Sequence, residues 1–137
     1  MEKLIDRIEE HFRQKSGIKK VWRDFVTENN VLVDLLVMNK GGPRRYELMA
    51  FKFFPSLFEK DSWLDEFAEL KFDNRYAVTA KAPRLMSQTT LSKFYAAGVG
   101  LLVVVEGDPP LKGLLHARTE FRDRTFLPPR VMEQYDK

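Results

Sequence analysis

Asp34 is the one charged residue in an otherwise apolar run, Val31-Leu32-Val33-Asp34-Leu35-Leu36-Val37. An ionised carboxylate in such surroundings is costly unless it is paired, hydrogen-bonded or bound to a metal. Two chemistries fit it: an oxygen ligand for a hard divalent cation, or an acceptor for backbone N–H groups at a strand end. Lys52 is the second such residue, near the end of Tyr46-Glu47-Leu48-Met49-Ala50-Phe51-Lys52-Phe53-Phe54. A strand lysine either snorkels to the sheet edge or serves a site. Strand alternation puts Asp34 with Leu32, Leu36 and Met38, opposite Val31, Val33, Leu35 and Val37. It puts Lys52 with Tyr46, Leu48 and Ala50. If the two strands pair as a hairpin, Asp34 and Lys52 converge on one side of the sheet.

The elements that must position them can be read from the periodicity. Leu4, Ile5, Ile8 and Phe12 recur at helical spacing, giving an amphipathic helix over residues 2–15 that Gly17 closes. Three β-rich runs follow, Lys19–Thr27, Val31–Met38 and Arg45–Phe53, with turn-rich connections that imply an antiparallel meander. A helical stripe of Trp63, Leu64, Phe67, Ala68 and Leu70 covers about 57–71, and a short strand spans Arg75–Ala80. A second helical stretch, about 85–97, puts Leu91, Phe94 and Tyr95 on one face before Gly98 and Gly100. Ser87 serves as its cap, and the two glycines read as turns, since they lack a nucleotide loop's context. Val99–Val105 has no polar member, as a central strand covered on both faces requires. The order α-β-β-β-α-β-α-β predicts an α/β fold, a mixed sheet with helices on both faces. Its core covers about residues 2–106, and the mixed stretch 107–137 reads as a C-terminal extension of a single domain.

This order, an aspartate inside an apolar second strand, a lysine near the end of the third, and a late helix running into Gly98-Val99-Gly100-Leu101-Leu102-Val103-Val104-Val105 together resemble the PD-(D/E)xK superfamily. That is the restriction-endonuclease-like fold, which includes Holliday-junction resolvases and RecB-type nucleases. The resemblance implies that Asp34 and a carboxylate two residues before Lys52 hold one or two Mg²⁺ or Mn²⁺ ions, with Lys52 positioning or activating the attacking water. The middle position is Ala50, which has no oxygen to offer. Glu47 lies at an odd offset from Lys52 and points through the opposite face. Glu59 and Glu66, at the border of the Trp63–Phe67–Leu70 stripe, resemble the relocated helix carboxylate of some members. Resolvase-like members also place an acid on the first helix, where Asp6 is favoured over Glu9 and Glu10.

The resemblance, with Ala50 at the middle position, therefore implies a nuclease-like domain with an eroded metal site that serves as a nucleic-acid-binding or protein-interaction module, with Mg²⁺ or Mn²⁺ as cofactor if active and none otherwise. The alternatives are an active Mg²⁺- or Mn²⁺-dependent nuclease built on Asp34, Lys52 and Glu66 or Glu59, or a pure protein-interaction subunit using the Pro128-Pro129 tail. For a phosphate backbone the available cations are Arg44 and Arg45 at a hairpin tip, Lys19 and Lys20 on the first strand, and Arg84 before the late helix. DNA is favoured over RNA, and folds of this kind that act on duplexes commonly pair by symmetry.

Composition narrows the field from the other side. At 137 residues, 44% hydrophobic and 31% charged, the chain has the make-up of one globular domain. With no cysteine and two histidines, disulfides, thiol nucleophiles, zinc ribbons and histidine-rich metal sites are excluded. A net charge of +3 permits a polyanionic partner without demanding one. The charged first residues and the shortness of Val99–Val105 leave no export signal or membrane span, and the expected location is cytoplasmic.

Overall fold

The computed structural model describes residues 2–40, 46–54, 62–80, 88–107, 109–118 and 128–134. The protein is α/β, with a six-stranded mixed sheet and helices. The elements are α1 (Glu2–Gln14), β1 (Ile18–Val26), β2 (Leu32–Lys40), β3 (Tyr46–Phe54), α2 (Ser62–Ala68), β4 (Asn74–Thr79), α3 (Gln88–Ala97), β5 (Gly100–Val104), β6 (Leu111–Leu115) and α4 (Pro129–Gln134). The strands lie side by side in chain order. β1, β2 and β3 form an antiparallel meander, β3, β4 and β5 run parallel, and β6 returns antiparallel to β5.

The sheet separates two apolar layers. Ile5, Ile8 and Phe12 of α1 pack on Val21, Leu35, Val37, Phe51, Phe53 and Val78. On the other face Leu64 and Phe67 of α2, Phe94 of α3 and Val131 of α4 join Trp22, Leu36, Met38, Leu48, Ala50 and Leu101. Residues three and four apart on α1 thus meet strand residues two apart, which is how the two periodicities combine into a core. α1 is also tied down by polar contacts at both ends. Arg7 donates to the Val105 carbonyl at 2.8 Å, beyond β5, and Arg13 to the Val21 carbonyl of edge strand β1 at 3.1 Å. The second contact occupies an acceptor that an edge strand would otherwise offer to a foreign strand.

Two expectations need correction. Val33 lies in the same layer as Leu36 and Met38, whereas Leu35 lies in the other, so alternation breaks at Asp34. The partner strand breaks at the same place: Trp22 and Phe25 share a layer, and Asp24 between them has φ 53°. A residue in the left-handed region rotates the pleat, and aspartate tolerates that region better than most. Tyr95 is 74% exposed and does not share the inner face with Phe94, from which it is about 100° away around the helix. Within the stretch 107–137, β6 adds a strand to the sheet, Val131 is buried, and Trp22 Nε1 donates to the Gln134 carbonyl at 3.2 Å.

The two late glycines have different roles. Gly98 ends α3 with φ 73°, the left-handed conformation of a helix stop, and its carbonyl accepts from the Arg118 amide at 3.1 Å. Gly100 opens β5 beneath the Tyr76 ring, where a Cβ would lie 2.5 Å from ring carbons and 2.6 Å from the Ala117 nitrogen. Tyr76 is itself stacked on Phe51, with ring centroids 5.5 Å apart. Gly100→Ala should therefore destabilise the protein by about 1–3 kcal/mol through overpacking, read from the midpoint of urea unfolding. An unchanged midpoint would mean that Tyr76 and Ala117 do not approach β5 this closely.

Candidate functional site

β2 and β3 pair only from Leu35 opposite Phe51 to Lys40 opposite Tyr46. Before Leu35, β2 stays with β1, where Leu32 and Val33 pair with Val26 and Phe25. Beyond Phe51, β3 stays with β4, where Lys52, Phe53 and Phe54 pair with Ala77, Val78 and Thr79. The sheet therefore forks between β2 and β3, and Asp34 and Lys52 stand at the first step where the ladder is missing.

Both side chains bridge the fork. The Phe53 amide donates to Asp34 Oδ2 at 2.7 Å, so the carboxylate accepts the hydrogen bond that a β2 carbonyl would have taken. Lys52 Nζ donates to the Leu32 carbonyl at 3.3 Å and lies 6.0 Å from the Phe54 ring centre. Burial pushes the Asp34 carboxyl above its ordinary pKa; the Phe53 hydrogen bond and the Lys52 charge oppose this, and the charges of Asp24 and Glu2 add to it. Because the net direction is upward, desolvation outweighs the two favourable contacts. The ionised carboxylate is held at a cost to stability.

A second carboxylate does the same work at the opposite end of β3. Asp73 is fully buried, and its Oδ2 accepts the Leu48 amide at 2.7 Å, one step before β4 begins to pair. Beside it Arg75 is only 2% exposed and donates to the carbonyls of Ala68 and Leu70 at the end of α2. The sequence reading missed both residues. Their signal was a pair of charges, Asp73 and Arg75, flanking and opening the otherwise apolar strand that runs on to Val78.

The other expected site residues are not gathered at the fork. Asp6 pairs with Arg23 of β1, as do Glu2 and Glu9. The Asp6 hydrogen bond is the largest influence raising the Arg23 pKa, against partial desolvation. Glu66 is exposed on α2, between the inward-facing Leu64 and Phe67. Lys19 is exposed and Lys20 reaches over the Trp22 ring at 5.6 Å. Glu59, Arg44, Arg45, Arg84 and the Ser87 cap lie outside the described residues.

The described residues at the fork do not by themselves make up a divalent-cation site. Mg²⁺ and Mn²⁺ need several oxygen ligands, usually from more than one carboxylate. Among the described residues at the fork, Asp34 has one oxygen already on Phe53, residue 50 is a buried alanine and Lys52 brings positive charge. Among the described residues no group of three His, Cys, Asp or Glu could hold a metal ion. Among them, too, no helix is long and apolar enough to cross a membrane.

The bridging role of Asp34 separates two substitutions. Asp34→Ala leaves the Phe53 amide without its acceptor and should cost about 1–3 kcal/mol. Asp34→Asn keeps an acceptor and removes the buried charge. A raised carboxyl pKa means a contribution to stability that is full below the unfolded value, about 3.9, and is lost as pH rises through the folded one. Asp34→Asn should therefore match or exceed the wild-type thermal midpoint at pH 7, with its advantage shrinking towards pH 4. A lower midpoint at pH 7 would show that the Lys52 attraction outweighs burial. No family model, no curated relative and no solved structure matches this chain, so its function has to be argued from the fork and the residues around it.

Proposed function

We propose that this is a restriction-endonuclease-like domain whose metal site has lost its second carboxylate and which binds nucleic acid, DNA in preference to RNA, without cutting it. The observation that carries the reading is the fork: Asp34 and Lys52 bridge the gap between β2 and β3, and Ala50 stands two residues before the lysine. Cleavage of a phosphodiester gathers negative charge in the transition state, and the Asp34 carboxylate beside the Lys52 ammonium offers too few oxygen ligands for the metal that would neutralise it. Binding needs no metal. The antiparallel β1–β2–β3 meander behind α1, continued by parallel β4 and β5 after α2 and α3, supports the family resemblance. The small positive net charge supports a polyanionic partner.

A second reading, a protein-interaction module, draws on Tyr95 and Met132, which are 74% and 59% exposed on α3 and α4. Single exposed apolar residues are common on protein surfaces, so this reading ranks behind the first.

The test is fluorescence anisotropy with single- and double-stranded DNA and RNA at two salt concentrations, run alongside a cleavage assay in Mg²⁺ and Mn²⁺. The expected result is DNA binding that weakens steeply between about 50 and 200 mM salt, with no cleavage in either metal. Metal-dependent cutting lost in both Asp34→Ala and Lys52→Ala would instead make the protein a nuclease with a relocated carboxylate. No binding at low salt would favour the protein-interaction module.

A further inference from the structure

The two ends of the β1–β2–β3 meander differ in charge. Away from the fork, Ile18 at the start of β1 pairs with Asn39 at the end of β2, and Asn39 pairs with Glu47 at the start of β3. The Lys40 amide donates to the Gly17 carbonyl at 3.0 Å, which holds the end of β2 against the turn that leaves α1. Lys15, Lys19, Lys20 and Lys40 therefore meet at one corner of the sheet, with Lys15, Lys19 and Lys40 exposed. Lys19 is the extra residue of a bulge, since Ile18 faces Asn39 and Lys20 faces Met38. A bulge re-aims the side chain it inserts. On these strand ends the described acid is Glu47, so the corner keeps a positive surplus whichever lysine Glu47 faces. At the fork, by contrast, Asp34 has Asp24 and Glu2 as well as Lys52 for charged neighbours.

From this polarity we propose that duplex DNA docks on the lysine corner, at the end of the meander away from the fork, through phosphate contacts of Lys15, Lys19, Lys20 and Lys40. The proposal rests on the binding reading above and says where that binding takes place. A polyanion is drawn to the positive end and held off the acids around the fork. Each ammonium has three donors on a flexible stem, so a lysine engaged with one partner keeps donors for a phosphate oxygen. The C-terminus of α1 favours a cation at Lys15, but it supplies no reason for Lys19 on the bulge or Lys40 on β2. Trp22, beneath Lys20 with its ring centre 5.6 Å from Nζ, is only 8% exposed and offers no open ring for a base to stack on. Contacts of this kind fix the protein on the phosphate backbone without reading sequence.

The test is the anisotropy of a labelled random-sequence duplex with the wild type and with Lys15→Gln, Lys19→Gln and Lys40→Gln combined. The triple variant should bind about tenfold more weakly or worse near 100 mM salt, and its log–log salt dependence should be shallower by about 2 to 3. A control, Lys3→Gln with Lys112→Gln, removes two exposed lysines elsewhere and should stay within about twofold of the wild type. Wild-type affinity in the triple variant, with loss in Lys52→Gln, returns the DNA to the fork and overturns the proposal. Should the triple variant fail to fold, amide chemical shifts of the wild type decide. Shifts on adding the duplex should centre on residues 15–20 and 38–40, and shifts centred on 32–34 and 52–54 overturn the proposal. Poly-glutamate bound as tightly as the duplex at the same salt assigns the corner to an acidic protein and overturns it too. The two failures are distinct: a wild type that binds no DNA at about 50 mM salt fells the binding reading and this proposal together, whereas DNA bound elsewhere fells this proposal alone.

Discussion

A buried strand must find an acceptor for every amide it carries, and β3 runs past its neighbours at both ends. β2 stops pairing with it at Phe51, and β4 begins only at Met49. The two amides left over, Phe53 towards β2 and Leu48 towards β4, are each taken by an aspartate, Asp34 and Asp73. This requirement organises the middle of the sheet. It explains why one fully buried and one half-buried carboxylate stand beside the apolar middle of the sheet, and it lets the sheet open between β2 and β3 without leaving these backbone donors stranded. The bond from Lys52 to the Leu32 carbonyl completes the bridge from the other side.

The two aspartates do the same job on different terms. Asp73 is sealed in, next to the buried Arg75 that holds the end of α2. Asp34 is only half-buried, at the open fork, and burial there raises its pKa against the pull of its hydrogen bond and of Lys52. An uncharged amide would serve the backbone as well at smaller cost.

The acids of α1 have a different use. Glu2, Asp6 and Glu9 converge on Arg23, and Arg7 and Arg13 reach carbonyls on the far side of the sheet and at its edge. α1 is thus fixed over its apolar layer by charge at several points, and Asp6 reads as part of that docking. Nothing in the spacing of Asp6, Glu9 and Glu10 distinguishes an acid facing a site from one facing a basic strand, because the choice depends on which β1 residue lies below the helix.

Much was legible along the chain. The helical stripe of Ile5, Ile8 and Phe12, the unbroken apolar run of β5, the isolated Asp34 and the alanine at position 50 are local features, and periodicity or residue chemistry expresses them directly. What failed to be legible depends on pairing between distant segments. Val33 changes layers because two strands distort together at Asp24 and Asp34; β6 becomes a strand because β5 offers it an edge; Arg75 faces Ala50 because β4 returns parallel to β3 in one register. By itself the sequence determined the elements from α1 to β5, the absence of thiol chemistry and the residue types available at the fork. Only the tertiary structure decided which backbone amides those residues serve and which charge lies beside which strand, because register and twist are properties of pairs of strands and belong to no single segment.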